Sequence, residues 1–320
     1  MQNDPRSISS AGDAPDRAGA ATDTDIPVTV RIPADGIELV GDAYGNPAAA
    51  PVLLLHGGGQ TRHSWGTTAR MLARDGWYAL AIDLRGHGDS GWSPDGIYPL
   101  GRFAADVVAA VRWTGRVPVL IGASLGGIAS LAALRQHPDL AAGVVLVDVS
   151  PFLQAAGTNR IREFMTARPE GYSSLDEVAD AVAAYLPNRP RPRNISGLRK
   201  NLRRVDGRWF WHWDPAFLRD TSSQLSQREH VITSGLAEAA ASLRIPTLLV
   251  RGGQSDVLSV DDARRFLELV PHAEYADVAG AHHMVTGDDN SVFDQAVRDF
   301  FDRRVRPRQR LGLDTAPPSL

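Results

Sequence analysis

A serine at the tip of a predicted strand-to-helix turn is the first residue in this chain whose type and setting could do chemistry. Ser124 lies in Gly122-Ala123-Ser124-Leu125-Gly126-Gly127, after the apolar run Val117–Ile121 and before a helix-forming segment, residues 128–135. A strand, a tight turn with a serine at its tip and then a helix are the context that a nucleophile elbow requires. The spacing therefore predicts that Ser124 is a nucleophile.

A serine nucleophile needs two partners, and the chain offers candidates for both. A serine hydroxyl is a weak nucleophile until a base takes its proton. A histidine can do this at neutral pH, and a buried carboxylate then fixes the tautomer of the ring. His282 and His283 follow one predicted strand, Asp256 follows another, and Asp148 follows a third. The residues alone leave both choices open, that of the base and that of the acid.

Strand-length apolar runs alternate with segments of helical periodicity along most of the chain. This alternation predicts a mostly parallel sheet with helices on both faces. In such sheets ligands bind at the carboxyl ends of the strands, where all the candidate residues lie. An alternating segment over residues 28–43 adds an antiparallel hairpin at one edge. The other predicted strands cover residues 51–55, 77–82, 117–121, 143–147, 245–250 and 273–278, and the predicted helices cover residues 61–75, 100–114, 128–135, 260–270 and 289–302.

One stretch interrupts the alternation. From residue 152 to 240 the apolar periodicity is helical, which predicts a helical cap inserted after the sixth strand. The stretch contains three tryptophans, Trp209, Trp211 and Trp213, which we expect to anchor the cap. The predicted organisation is a disordered leader over 1–26, a core over 27–151 and 241–305, the cap over 152–240, and a disordered tail over 306–320.

Composition excludes several kinds of site. The chain has 320 residues and no cysteine, so disulfides, thiolate catalysis and cysteine zinc sites are excluded. Its net charge of −3 gives no overall electrostatic attraction to nucleic acid. No metal-ligand or haem-ligand cluster is visible, so we expect no cofactor and no metal. No apolar run is long enough for a membrane span, and residues 1–25 lack the apolar region of a secretory signal. We therefore expect a cytoplasmic protein.

Four sequence pieces, in this order, resemble the α/β-hydrolase fold superfamily, and within it the group of serine esterases, C–C hydrolases and cofactor-free haloperoxidases. The resemblance covers roughly residues 28–304. The pieces are His56-Gly57-Gly58-Gly59 with Trp65 downstream, Asp83-Leu84-Arg85-Gly86-His87-Gly88-Asp89-Ser90, Gly122-Ala123-Ser124-Leu125-Gly126-Gly127, and Gly280-Ala281-His282-His283-Met284-Val285.

The resemblance implies an α/β-hydrolase fold and a role for each candidate. It favours His283 over His282 as the base, and Asp256 over Asp148 as the acid. It also implies an oxyanion hole formed by the backbone N–H groups of Gly58 and Leu125. His56, Asp83 and Arg85 are expected to order their loops, His87 to pack in a turn, and Trp65 to lie in the core.

The resemblance further implies a serine hydrolase that acts through an acyl-enzyme on a small or medium ester or a related carbonyl compound. C–C bond cleavage or perhydrolysis with the same triad is an alternative, and a non-catalytic binding protein on this fold is an alternative of another class. A basic run in the predicted cap is consistent either with a solvated surface or with an anionic substrate or acidic partner. Its members are Arg189, Arg191, Arg193, Arg199, Lys200, Arg203, Arg204 and Arg208.

Overall fold

An eight-stranded sheet forms the centre of the protein in a computed structural model, which describes residues 25–152, 154–185, 191, 195–218, 235–279, 281 and 291–311. The strand order is β1-β2-β4-β3-β5-β6-β9-β10. β2 runs antiparallel to both of its neighbours, and the other pairs are parallel. The strands are β1 Val28–Ala34, β2 Ile37–Tyr44, β3 Pro51–Leu55, β4 Tyr78–Ile82, β5 Val119–Ala123, β6 Gly143–Val147, β9 Thr247–Gly252 and β10 Glu274–Val278.

The central strands are apolar because helices cover both faces of the sheet. Every residue of β3, β4, β5, β6 and β9 is buried. Alternate side chains along each strand enter opposite layers, as the period of two requires. Helices α2 Leu100–Thr114, α3 Leu125–Gln136 and α6 Val260–Leu269 pack on one face, and α1 Gly66–Arg74 and α7 Ser291–Phe300 on the other. The predicted α/β architecture is confirmed.

The carboxyl ends of β3, β5, β6 and β9 meet along one edge of the sheet, since these strands are parallel neighbours. β5 leads directly into α3, with Ser124 as the residue between them. This arrangement brings the loops that follow β3, β6 and β9 to the same edge as Ser124.

The insertion between β6 and β9 is not wholly helical. It contains α4 Ala155–Thr166 and α5 Leu175–Tyr185, but also an antiparallel hairpin of β7 Leu202–Val205 and β8 Arg208–Trp211. Tyr172, which is buried, pairs with Trp209 beside the hairpin. The aromatic residues Trp209 and Trp211 thus belong to a strand, because their large side chains pack well on a pleated surface.

Helical structure also extends beyond the expected end of the domain. A π-helical turn over Phe301–Val305 continues into α8, Arg306–Arg310. The predicted tail therefore does not begin at residue 306. The predicted leader, apart from Asp25 and Ile26, and residues 312–320 lie outside the described residues. Within the described residues, no helix is both long enough and apolar enough to cross a membrane.

Candidate active site

Ser124 occupies a backbone conformation that few serines adopt. Its φ is 45° and its ψ is −112°, in the region that L-residues avoid. Strain of this kind amounts to about 1–3 kcal/mol and persists only where the surroundings impose it. Here the Ser124 N–H donates to the Val147 carbonyl at 3.2 Å, and the Ser124 carbonyl accepts from Ile128 at 3.0 Å. The result is a half-buried serine at the head of α3, as the nucleophile elbow predicts.

The glycines around Ser124 are there because the turn leaves no space for a side chain. A Cβ atom on Gly122 would lie 2.5 Å from the Gly127 nitrogen, and one on Gly126 would lie 2.3 Å from the Leu55 carbonyl oxygen. Real Cβ contacts are not this short. The close approach of α3 to β3 and β5 therefore depends on glycine at these positions.

The glycine loop after β3 lies directly beside the serine. A Cβ atom built on Gly57 would be 3.4 Å from the Ser124 Cβ, and the Gly126 N–H donates to the His56 carbonyl at 3.1 Å. The Gly57 N–H donates to Gln60 Oε1 at 2.9 Å, and the Gly59 N–H donates to His87 Nε2 at 3.1 Å.

The remaining N–H groups at this edge are the two that were predicted for an oxyanion hole. In the part of the chain that the structure describes, neither Gly58 nor Leu125 donates a backbone hydrogen bond. Leu125 is the first residue of α3, where the helix dipole favours negative charge. Both residues are partly exposed. This arrangement suits the stabilisation of an oxyanion next to the Ser124 hydroxyl.

Two buried histidines order the loops around the serine, a role that was predicted for His56. His56 Nε2 accepts the Leu84 N–H at 2.9 Å, so the ring proton is on Nδ1, which donates to the Gly57 carbonyl at 2.7 Å. His87 Nε2 accepts from Gly59, and its Nδ1 lies 3.0 Å from the Arg85 carbonyl. Burial lowers the pKa of each ring to about 3. Both rings are therefore neutral at pH 7.

Charged residues of the neighbouring turn form buried ion pairs. Arg85 binds both oxygens of the Asp106 carboxylate at 2.6 Å, and both side chains are buried. Asp83 binds the side chain of Arg62 and accepts the Asp89 N–H at 3.0 Å. The carboxylates of this turn hold its shape, as predicted.

The acid favoured on sequence grounds, Asp256, lies at an exposed position. Its side chain is 47% exposed and forms an ion pair with Arg160 of α4 at 2.9 Å. A Cβ atom on Gly157 of the same helix would lie 2.4 Å from the Asp256 carbonyl oxygen. Asp256 thus sits where the insertion packs on the core, and its carboxylate is directed to that junction.

Asp148, the alternative acid, is buried at the end of β6. It has a positive φ of 52°, which turns its carboxylate towards the end of β9. The Gly252 N–H donates to Oδ1 at 2.9 Å, and the Ser255 hydroxyl donates to Oδ2. Ser255 Oγ in turn accepts the N–H groups of Val257 and Leu258. A buried carboxylate held by oriented donors has the surroundings that a triad acid requires.

Both candidate bases lie outside the described residues. His282, His283 and the preceding Gly280 fall in this part, whereas Ala281 is described and buried. The Gln254 N–H donates to the Ala281 carbonyl at 2.8 Å, so Ala281 lies next to the loop that carries Ser255. The assignment of His283 as the base stays a prediction.

Apolar residues of the insertion cover the glycine loop. The Met165 sulfur atom of α4 would lie 3.1 Å from a Cβ atom on Gly59, and the Phe217 ring would lie 3.9 Å from one on Gly58. The Phe217 ring also contacts the His87 ring, at a centroid distance of 5.0 Å. Ser255, Gln60, Met165 and Phe217 are site residues that the sequence analysis did not single out, and no motif marks them.

Part of the basic run has structural partners. Arg191 pairs with Asp176 at 2.9 Å and with Asp180 at 2.7 Å. Arg208 donates to the carbonyls of Glu170 and Gly171. Arg189 and Arg193 lie outside the described residues. Nowhere in the described ranges do three or more histidine, aspartate or glutamate side chains gather in a way that could hold a metal ion.

Comparison of the whole chain with known proteins identifies several relatives. The sequence model described as "alpha/beta hydrolase fold" matches residues 50–289. Esterase Rv0045c of Mycobacterium tuberculosis is 29% identical over 270 residues, which are 80% of this chain and 84% of that protein. A crystal structure of that esterase superposes with a TM-score of 0.67 at 29% identity, and covers 87% of this chain and 92% of its own.

Two further relatives are hydrolases named for acids. The 2-(acetamidomethylene)succinate hydrolase of Mesorhizobium japonicum is 29% identical over 235 residues, which are 71% of this chain and 80% of that protein. The 2-hydroxy-6-oxo-6-(2'-aminophenyl)hexa-2,4-dienoic acid hydrolase of Metapseudomonas resinovorans is 22% identical over 274 residues, which are 80% of this chain and 85% of that protein.

Proposed function

This chain belongs to the α/β-hydrolase fold family and is a hydrolase of that family; we propose that it cleaves carboxylic esters through an acyl-enzyme on Ser124. The observation that carries the proposal is the position of Ser124. Ser124 has a strained φ of 45°. It also lies beside the backbone N–H groups of Gly58 and Leu125, which donate no hydrogen bond within the described residues.

In the acylation step, Ser124 Oγ attacks the ester carbonyl carbon while its proton passes to the ring of His283. The carbonyl oxygen becomes an oxyanion, and the N–H groups of Gly58 and Leu125 stabilise it. One such donor contributes about 3–4 kcal/mol to lowering a barrier of this kind. The histidine then gives the proton to the departing alcohol, which leaves the acyl group on Ser124. Water repeats the sequence and releases the acid.

We assign the acid of the triad to Asp148 rather than to Asp256. An acid in this role must stay ionised, stay still and stabilise the imidazolium that forms on the base. Asp148 is buried and receives two directed hydrogen bonds, whereas the Asp256 carboxylate is half exposed and already paired with Arg160. The surroundings of the two residues therefore support Asp148.

The residues over the glycine loop support a substrate with a small or medium apolar acyl group. Met165 and Phe217 approach the loop from the insertion, and neither carries a charge. The two relatives named for acids support an added anionic group on the substrate. We place the protein in the cytoplasm as part of the same proposal, and fractionation of the source cells tests that location.

A second candidate function is the hydrolysis of a C–C bond in a diketone acid, which the relative named for a dienoic acid favours. The same serine, histidine and aspartate would serve, with a carbon leaving group in place of an alcohol. Perhydrolysis, in which peroxide replaces water on the acyl-enzyme, is a variant of the first proposal. A non-catalytic binding protein on this fold would bind the same compounds without turnover.

The test is a substrate screen on the wild-type protein and on Ser124→Ala. p-Nitrophenyl esters of graded chain length report esterase activity, and dicarbonyl acids report C–C cleavage. We expect ester turnover that favours short or medium chains and disappears in Ser124→Ala. Turnover of the dicarbonyl acids alone would transfer the assignment to C–C hydrolysis. Tight binding without turnover in the folded protein would favour the non-catalytic alternative.

A further inference from the structure

A cavity outside the proposed active site lies between the core and the insertion. It has a volume of about 280 Å³ and is lined on one side by Trp92 and Gly88 of the core loop after β4, and on the other by Arg199, Lys200 and Arg203 of the insertion. We call it the basic cavity. Neither Ser124 nor Gly58 nor Leu125 lines it, so it is separate from the proposed oxyanion site.

The three cations of the basic cavity have no carboxylate partner among the described residues. No ion pair involves Arg199, Lys200 or Arg203 within the described ranges. One carboxylate, that of Asp89, also lines the cavity, but it is paired with Arg62 at 2.8 Å. Arg62 also pairs with Asp83 and Asp42, so its one positive charge is shared by three carboxylates. The described lining therefore carries three positive charges against the one carboxylate of Asp89, which leaves an excess of two positive charges.

Arg203 is fixed in place by two aromatic rings. Its guanidinium carbon lies 4.7 Å from the centre of the Trp92 ring and 5.8 Å from the centre of the Phe210 ring. Its Nε donates to the Trp211 carbonyl at 3.4 Å. The two terminal nitrogens donate no hydrogen bond within the described residues. A guanidinium held in this way is a preformed fork for two oxygens of one anion.

The backbone next to Arg203 is also held. The His212 ring binds the Lys200 carbonyl at 2.8 Å through Nε2, and the Arg199 guanidinium lies 5.6 Å from the centre of the Trp209 ring. The Thr61 hydroxyl donates to Asn201 Oδ1 at 2.8 Å, which ties this segment to the end of the glycine loop. The positive groups are thus carried by an anchored segment.

We propose that the basic cavity binds a small multivalent oxyanion, with a phosphate or diphosphate group on the Arg203 fork and the Arg199 and Lys200 charges around it. A lining with an excess of two positive charges around a volume of about 280 Å³ suits a compact anion of about two negative charges. Free phosphates and the phosphate of an organic ester share this chemistry. The exposed edge of Trp92 gives an organic ester an additional ring to contact.

The proposal is tested by calorimetric titration of the full chain with inorganic pyrophosphate, at constant ionic strength, against Arg203→Gln. We expect saturable binding that is at least about tenfold weaker in the variant, since the variant loses hydrogen bonds between charged groups. A parallel titration with adenosine diphosphate separates the sources: tighter binding than pyrophosphate assigns the site to an organic phosphate, and equal or weaker binding to free phosphates.

The matched control is Arg204→Gln. Arg204 is the next residue of β7, carries the same charge and stacks on Trp209 at 5.5 Å, but does not line the cavity. We expect its affinity for pyrophosphate to stay within twofold of the wild type. An equal loss in the two variants would reveal a diffuse charge effect and overturn the proposal, as would the absence of saturable binding. Lys200→Gln, with a thermal melt to verify folding, provides the test if Arg203→Gln fails to fold.

Discussion

The carboxylate of Asp148 accepts the Gly252 N–H at 2.9 Å and the Ser255 hydroxyl on its other oxygen. These two bonds cross from the end of β6 to the end of β9, so they fix a buried charge at the strand edge that also carries Ser124. The neighbouring candidate acid, Asp256, points instead to Arg160 on the surface of the insertion. This difference in surroundings leads to the first prediction.

Asp148→Asn is expected to lower kcat by about 10³–10⁴, because the amide cannot hold the base in the reactive tautomer or stabilise its charged form. Asp256→Asn removes one exposed ion pair, which contributes about 0–1 kcal/mol, so kcat should change by no more than about fivefold. Both are measured with a p-nitrophenyl ester. A large loss in Asp256→Asn with a small one in Asp148→Asn would return the acid role to Asp256.

Ser255→Ala removes a donor to Asp148 and the acceptor of the Val257 and Leu258 N–H groups. Leaving buried polar groups without a partner costs about 1–3 kcal/mol each. We expect a lower free energy of unfolding in urea and a decrease in kcat of about tenfold. Unchanged kcat in a destabilised variant would show that Ser255 shapes only the loop.

The elbow should not tolerate a methyl group. Gly126→Ala places a Cβ 2.3 Å from the Leu55 carbonyl oxygen, so we expect loss of several kcal/mol of stability or failure to fold. Gly101→Ala is the control: it lies in α2, and a Cβ there meets no atom within 4 Å. That variant should be as stable as the wild type or more stable, by up to about 1 kcal/mol. Equal melting temperatures for the two variants would contradict the packing described.

The buried His87 ring should make the stability of the protein depend on pH. Burial lowers its pKa from 6.5 to about 3 in the folded protein. At pH values between about 3 and 6.5, the unfolded chain binds a proton on His87 that the folded chain does not bind. The free energy of unfolding therefore decreases as the pH falls through this range and increases as the pH rises. The slope is at most about 1.4 kcal/mol per pH unit for this ring.

In His87→Gln the amide oxygen can still accept the Gly59 N–H, but the titrating group is gone. The slope of unfolding free energy against pH, measured in urea from pH 6 down to pH 4, should therefore be smaller in this variant than in the wild type. Equal slopes would mean that the His87 ring is protonated in the folded state or exposed to solvent.

The fold was largely predictable, because buried parallel strands are continuous apolar runs and the predicted runs at residues 51–55 and 143–147 coincide with β3 and β6. The hairpin in the insertion was not predictable, since the residue types of Trp209 and Trp211 fit a strand or a helix equally well. What distinguishes the strand is the pairing of Trp209 with Tyr172, which is distant in the sequence. The surroundings of the two candidate acids were not predictable either. Those of Asp148 depend on one backbone angle and on the hydroxyl of Ser255, and neither is visible in a pattern of residue types.

The central claim is that Ser124 is the nucleophile, and labelling with a fluorophosphonate tests it most directly. The probe forms a covalent bond to an activated serine, and intact-mass measurement followed by peptide mapping locates the adduct. We predict one adduct per chain on Ser124, none in folded Ser124→Ala, and loss of ester turnover in step with labelling. An unlabelled wild-type protein, an adduct on another serine, or full turnover in Ser124→Ala would contradict the account.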